Sequence, residues 1–428
     1  MSEVKSPEIY YGWKIVAAIL VLLTFTSGLS FYNQAVYLNA LATNPAFTVQ
    51  SASLAVSIFF FSGGIAGLWV AKWVQDFDPR LSIIIGAVIS CAALSSLALV
   101  EEVWQLYILY AIFGVGFSAS SLIPATTLVT RWFQKNRAIA LSIASTGLSL
   151  GGVIITPISV VMVESQGLSR AAPILGILYL IGVIPVAWIW LRPSPESMGL
   201  RVHGSDTAAH HDTDLPKQSK TSSAVLPASS KTLHTDGISF QEACRNRFFW
   251  GVSTAYIFLM MAQVGGIAHQ YGLAREILAE AQTAAAVAIL PVASIIGRLI
   301  GGWLVEQISI RFFSIVTMSI QVISLGLLAG GFSIASLGIG LALFGVTVGN
   351  LLMLQPLLIA EAFGVKDYAR IFSICNLMSS WGTASGPALL GFFYTVSQSQ
   401  YSMPYIVAAL AGLAGLLLFI GGGAVKQR

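Results

Sequence analysis

The chain has 428 residues, of which 56% are hydrophobic and only 9% charged, where a water-soluble protein carries about 25% charged residues. That balance excludes a soluble globular protein, and a net charge of +4 spread over short segments is no nucleic-acid footprint. Cys91, Cys244 and Cys375 are too far apart in sequence for a disulfide framework or a metal-ligand spacing.

No charged residue occurs between Lys14 and Lys72, between Arg311 and Glu361, or between Arg370 and Lys426. A spanning helix needs roughly 20 apolar residues, and lipid offers the backbone no hydrogen-bond partner, so long apolar stretches become helices. Each gap therefore holds two spans and a turn. The pattern predicts an all-α membrane protein with twelve transmembrane helices. The first is 14–38; its stretch Ile15–Leu38 is too long for a signal-peptide core and lacks an A-x-A site, so it reads as a permanent helix. The others follow at 51–72, 81–100, 104–130, 138–163, 171–191, 248–272, 281–305, 312–332, 336–360, 371–395 and 403–425. Asn39, Asn44-Pro45, Gly330-Gly331 and the stretch 397–402 supply the turns inside the uncharged gaps.

Between the sixth and seventh spans, 193–238 is rich in Ser, Thr, Asp, His and Lys and cannot bury a core. It reads as a flexible linker, and His203, His210 and His211 read as part of that solvated tract rather than as metal ligands. Ser239 and Glu242 form a capping-box pattern that starts a short amphipathic helix, Phe240–Arg247. The chain thus divides into an N-terminal six-helix bundle (1–192), a linker ending in that helix (193–247) and a C-terminal six-helix bundle (248–428). Of the 22 lysines and arginines, all but Arg170, Arg275 and Arg298 fall in segments on the side of the termini. The positive-inside rule makes that side cytoplasmic and implies a multi-pass protein of the plasma (inner) membrane with both termini inside. Gly67, Gly114, Gly147 and Gly151 recur 235 residues later as Gly302, Gly349, Gly382 and Gly386, in equivalent spans. Two pseudo-symmetric halves with a ligand site between them near the midplane is one transporter architecture.

Several short motifs carry a resemblance. Tyr11-Gly12-Trp13 opens the first span, and Asp78-Pro79-Arg80 follows the second. Arg131-Trp132-Phe133 with Arg137 follows the fourth. Gly147, Gly151-Gly152 and Pro157 mark the fifth, and 195–200, Pro-Glu-Ser-Met-Gly-Leu, follows the sixth. Glu361-Ala362-Phe363-Gly364 closes the tenth; Gly382 and Gly386-Pro387 mark the eleventh. In order and placement these resemble the major facilitator superfamily, and within it the monocarboxylate and oxalate/formate type carriers. The resemblance implies two six-helix bundles that rock about a central cavity. The family's loop between spans two and three usually carries an acid, a base and glycine before Pro-Arg; here Gln75, Asp76 and Asp78 stand there, so Asp76 either replaces that acid or the gate is weakened.

Every acidic residue falls in a loop, at a helix end or in a tail, and Arg298 alone is an ionisable charge well inside a predicted span. A central arginine costs about 2.5–3.5 kcal/mol on insertion scales and usually faces a water-filled cavity; its planar fork suits a carboxylate. Snorkelling toward Glu306 and capping of backbone carbonyls are the structural alternatives. The resemblance implies a ligand role, since this position matches the span-eight arginine that binds substrate carboxylate in monocarboxylate carriers. The lysine of dicarboxylate carriers in span eleven has no counterpart in Cys375-Asn376-Leu377-Met378. The lysine in span one and the aspartate beside the arginine of animal monocarboxylate carriers are replaced by residues around Tyr32-Asn33-Gln34 and by Ser294. One cation suggests one negative charge per substrate.

Further substrate-binding candidates are Tyr32, Asn33, Gln34, Ser120, Ser121, Asn350, Gln355, Asn376 and Trp381, polar or aromatic residues that equally well join helices. His269 reads as structural, with pH sensing as its alternative. The expected function is secondary transport of a small organic anion, a monocarboxylate, by alternating access. A proton or counter-anion is the co-substrate, the lipid bilayer is the surrounding partner, and the chain acts as a monomer. No cofactor, metal, nucleic acid or enzymatic constellation is expected. The rivals are an exporter or antiporter of other small molecules and a non-transporting receptor.

Overall fold

The computed structural model describes residues 10–134, 136–203, 238–331, 333–364 and 367–423. These form twelve long helices: span 1 Tyr11–Ala42, span 2 Val49–Asp76, span 3 Pro79–Leu99, span 4 Val103–Trp132, span 5 Arg137–Gln166, span 6 Leu168–Ile189, span 7 Arg247–Ile277, span 8 Glu280–Gln307, span 9 Ile310–Gly330, span 10 Ile334–Phe363, span 11 Tyr368–Val396 and span 12 Ser402–Gly421. Eleven are long and apolar enough to cross a membrane. Span 11 is long enough, but Asn376, Ser379, Ser380, Thr383 and Ser385 dilute its hydropathy. Among the described residues the one strand-like feature is an isolated bridge between Phe133 and His203. An even number of crossings puts Tyr11 and Gly421 on one face, here the terminal face; the opposite one is the far face.

The packing repeats. Span 1 packs on 5 and 6, span 2 on 4, and span 3 on 4 and 6; span 7 packs on 11 and 12, span 8 on 10, and span 9 on 10 and 12. Glycines make these approaches possible. A β-carbon on Gly147 would strike the Leu20 carbonyl, and one on Gly382 the Ile257 carbonyl; Gly151 and Gly386 meet the Thr24 and Met261 carbonyls in the same way, and Gly114 and Gly349 those of Phe59 and Ser294. Three of the four glycine pairs in the 235-residue repeat therefore do the same job in each half. The fourth does not: Gly67 faces Ile123 and Ser118, whereas Gly302 faces open space.

Between the halves, span 5 meets span 8, span 2 meets span 11, and the outer part of span 1 meets span 7. The span 5–span 8 seam is an antiparallel ladder. Gly152 sits on Pro291, Ser149 Oγ lies 3.4 Å from Ser294 Oγ, and the Ser145 carbonyl accepts from Arg298. Toward the far face the seams are bonded. Ser57 Oγ accepts from the Ala388 N–H at 2.8 Å, and His269 Nε2 lies 3.3 Å from Ser53 Oγ and 3.1 Å from the Pro387 carbonyl. The Glu164 carboxylate accepts from Tyr271 Oη at 2.5 Å and from Arg275 at 3.2 Å. Toward the terminal face, would-be β-carbons on Gly64 and Gly302 meet nothing.

The first part of the polar segment after span 6, 193–203, is ordered where a flexible linker is expected. Pro195–Met198 makes a 3-10 turn closed by Gly199 in the left-handed region, φ 68°. Tyr10 Oη donates to the Trp132 and Arg201 carbonyls, and His203 stacks on the Tyr10 ring at 5.0 Å. These aromatic and backbone partners fix 193–203 against the ends of spans 1 and 4. The rest of that segment, with His210 and His211, lies outside the described residues. The capping box at Ser239 and Glu242 forms, but its helix is Phe240–Arg245. It stops short of Arg247 because Asn246 Oδ1 accepts from the Phe248 N–H at 2.9 Å and caps span 7 instead. In the loop between spans 2 and 3, Asp78 caps span 3 through the Arg80 N–H and pairs with the Arg80 side chain at 2.7 Å. Arg131 donates to the Val74 and Gln75 carbonyls at the C-terminal end of span 2, where a cation is favoured. Asp76 is exposed.

Candidate functional site

Two spans break where they border the central cavity. Span 1 passes through a π-helical stretch, Ser27–Tyr32, with Gly28 pressed against Gly151 and Ile155. Span 4 leaves helical geometry at Ser121, φ −111° and ψ −129°. Pro124 explains the second break, because it has no N–H to continue the ladder. Irregular backbone at membrane depth persists only where protein or a cavity lines it, and residues at both breaks line the same cavity.

That cavity, of about 350 Å³, lies between the halves. Ser27, Phe31 and Tyr32 come from span 1, Phe59 and Phe60 from span 2, Phe117, Ser118 and Ser121 from span 4, and Ser149 from span 5. The other half contributes Arg298, Val348, Leu352, Ser380 and Thr383. The aromatic rings all belong to the first half and form one chain: Tyr32 to Phe31 at 5.2 Å, Phe31 to Phe60 at 5.6 Å, Phe60 to Phe59 at 5.0 Å and Phe59 to Phe117 at 5.3 Å between centroids. Arg298 is partly buried and donates one bond, 3.2 Å, to the Ser145 carbonyl. Among the described residues no carboxylate pairs with it, and a guanidinium has five N–H donors. Tyr32 lies within electrostatic reach of it.

Three of the expected residues, Arg298, Tyr32 and Ser121, thus line one cavity. Asn376 is exposed and lies one helical turn toward the terminal face from the cavity-lining Ser380, on the same side of span 11. The others lie elsewhere: Asn33, Ser120, Asn350 and Gln355 bond neighbours within their own half, Trp381 faces outward, and Gln34 does neither. Asn33 is fully buried and donates to Tyr37 Oη at 3.1 Å and Ser159 Oγ at 2.7 Å. Ser120 donates to the Gly116 carbonyl and bonds Tyr179 Oη at 2.9 Å. Gln355 donates to Ser379 Oγ at 2.7 Å. Asn350 donates to the Val346 carbonyl at 2.9 Å and borders a separate pocket among spans 8, 9 and 10. Gln34 is buried with no protein partner for either amide atom. Trp381 is 56% exposed and borders an apolar lateral groove between spans 2 and 11. His269 is fully buried in the far-face seam, away from the cavity.

The sequence reading missed Ser27, Phe31, Phe59, Phe60, Phe117, Ser118, Ser149, Ser380 and Thr383. Aromatics and hydroxyls are ordinary residues of a spanning helix, so nothing local marks them. The signal that could have found some of them is spacing: Ser380 and Thr383 share a face with Asn376.

Twelve crossings in two repeated halves with a cavity between them fit a membrane transporter for small molecules. The Major Facilitator Superfamily model matches residues 20–349, and the chain belongs to that family. An "MFS-type transporter" of Gibberella moniliformis is 23% identical over 371 residues, 86% of this chain and 80% of the relative. A "Probable hexose phosphate transport protein" of Chlamydia muridarum is 23% identical over 257 residues, 59% of this chain and 55% of the relative. Among solved structures, a bacterial homologue of the human lysosomal transporter Spinster, in an inward-facing and unoccupied conformation, aligns with a TM-score of 0.67 at 16% identity, over 97% of this chain and 96% of that one. That likeness bears on the fold alone.

Proposed function

We propose that this transporter is a secondary carrier of a small organic anion, a monocarboxylate, working by alternating access from a cytoplasmic terminal face in the plasma membrane. The observation that carries the reading is the Arg298 guanidinium: it borders the cavity and among the described residues has one main-chain acceptor and no carboxylate. Desolvating an unpaired cation is costly, so a cavity holding it closes more readily around cargo of opposite charge. The bonds from Ala388 to Ser57 and among Glu164, Tyr271 and Arg275 hold the halves together toward the far face, so in this reading cargo enters from the terminal side.

Arg298 also forms the last described rung of the span 5–span 8 ladder. An anion that draws the guanidinium off the Ser145 carbonyl would exchange an inter-bundle bond for a bond to cargo. That exchange supplies a route from occupancy to movement of the two halves, and it needs differential binding between the two states to shift their balance. The hexose phosphate relative suggests a dianionic sugar as cargo, but one cation and a largely aromatic wall are poorly matched to two charges and several hydroxyls.

The test is uptake of radiolabelled acetate, lactate and benzoate into proteoliposomes by wild type, Arg298→Ala and Arg170→Ala, the last an exposed far-face control. Uptake retained in the control and lost in Arg298→Ala is expected. Equal uptake by all three proteins removes the anion assignment.

A further inference from the structure

The cavity is divided by chemistry. Its guanidinium comes from span 8 in one half. Its aromatic wall comes from spans 1, 2 and 4 in the other, as the continuous ring chain Tyr32–Phe31–Phe60–Phe59–Phe117. Phe59 is fully buried and backs the wall, while Phe31, Phe60 and Phe117 each keep part of their surface uncovered. Uncovered aromatic surface in a wet cavity is unfavourable, and edge-to-face and offset ring contacts add to area burial when another ring covers it. Around these groups stand hydroxyls, Ser27, Ser118, Ser121 and Ser149, which accept or donate single bonds but carry no charge.

From this division we infer that the cargo is an aromatic monocarboxylate, whose carboxylate engages Arg298 and whose ring lies against Phe31, Phe60 and Phe117. The inference rests on the anion reading of the same site and narrows it. A short aliphatic acid would satisfy the guanidinium and leave the ring wall uncovered. A sugar phosphate would bring two charges to one guanidinium and would leave any hydroxyl set against the ring wall, away from the lining serines and Thr383, unpaired, and buried polar groups left unpaired oppose binding. The volume, about 350 Å³, lies at the low end of the roughly 300–1,000 Å³ seen for small-molecule sites, which suits an acid of one or two rings.

The experiment is equilibrium binding to the purified full chain, by calorimetry, of benzoate, cyclohexanecarboxylate, acetate, benzamide and glucose 6-phosphate. Benzoate is expected to bind at least tenfold more tightly than acetate and several-fold more tightly than cyclohexanecarboxylate. Phe60→Ala and the milder Phe117→Leu should each weaken benzoate about tenfold, the order expected for lost apolar complementarity in a pocket, and weaken acetate much less, so that the preference for benzoate over acetate falls. Having two variants keeps the test valid if Phe60→Ala does not fold. Acetate binding as tightly as benzoate, with both dependent on Arg298, overturns the aromatic assignment and leaves the anion reading standing. Cyclohexanecarboxylate equal to benzoate overturns it too. Benzamide equal to benzoate instead overturns the anion reading. Preference for glucose 6-phosphate, or no binding by any of the five, overturns both.

Discussion

Glu164→Gln should shift the protein toward a state open at the far face. Glu164, near the end of span 5, accepts from Tyr271 and Arg275 near the end of span 7, so the three side chains clasp the two halves across the far face. The substitution keeps the shape and a carbonyl acceptor but removes the charge. A bond to a charged group is worth about 1.5–3 kcal/mol when buried, and an exposed ion pair about 0.2–1 kcal/mol. The Arg275 and Glu164 side chains are 34% and 16% exposed, which places the loss between these limits, at about 1–2 kcal/mol. That corresponds to roughly a five- to thirtyfold change in the ratio of closed to open states. Spin labels on Gln166 and Gln282, exposed at the far-face ends of spans 5 and 8, would report it as a distance distribution. Growth of the longer-distance population by that factor is expected. An unchanged distribution would show that the clasp contributes no free energy to closure.

Three further outcomes follow from the packing. Gly382→Val places side-chain carbons into the Ile257 carbonyl and should lower the thermal unfolding midpoint sharply and reduce folded yield, whereas Gly302→Ala, with open space around its α-carbon, should be nearly neutral; equal midpoints for the two would contradict the repeat argument. Asp367→Ala removes the acceptor of the Phe240 N–H, 2.9 Å away, and should expose 238–246 to limited proteolysis, with a loss of about 1 kcal/mol as for a helix cap; unaltered cleavage would show that helix to be held by its apolar contacts alone. Arg131→Ala strips a cap from the end of span 2 and should speed amide exchange around 73–77, an effect that exchange mass spectrometry detects or rules out.

The spans were legible because hydropathy and charge gaps are properties of the sequence at helix length, and lipid leaves the backbone a single solution for them. The repeat was legible through glycines that must approach backbone in both halves. The helices run past the predicted limits, span 2 to Asp76 and span 8 to Gln307, because a helix continues beyond hydrocarbon until a cap or turn ends it. The cavity was legible at Arg298, since a charge in hydrocarbon is conspicuous; Tyr32 and Ser121 entered only as polar or aromatic residues within predicted spans, and the structure places both at backbone breaks beside the cavity. It was not legible at Phe31, Phe60 or Phe117, because whether a phenylalanine faces lipid, core or cavity is decided by helix rotation. The same ambiguity placed Asn33, Ser120 and Gln355 among the expected ligands, although each is consumed by a bond inside its own half. The folded stretch 193–203 escaped notice because its order comes from Tyr10 and Trp132, far away in sequence.

Binding tests the role of Arg298 more directly than flux does, since a protein unable to change state would stop transporting even with its site intact. Titrating benzoate into purified wild type, Arg298→Lys and Arg298→Gln should give saturable binding, weakened binding and none, in that order, with all three proteins showing the same far-face label distances. Undiminished affinity in Arg298→Gln would mean that this cation is not what holds the cargo.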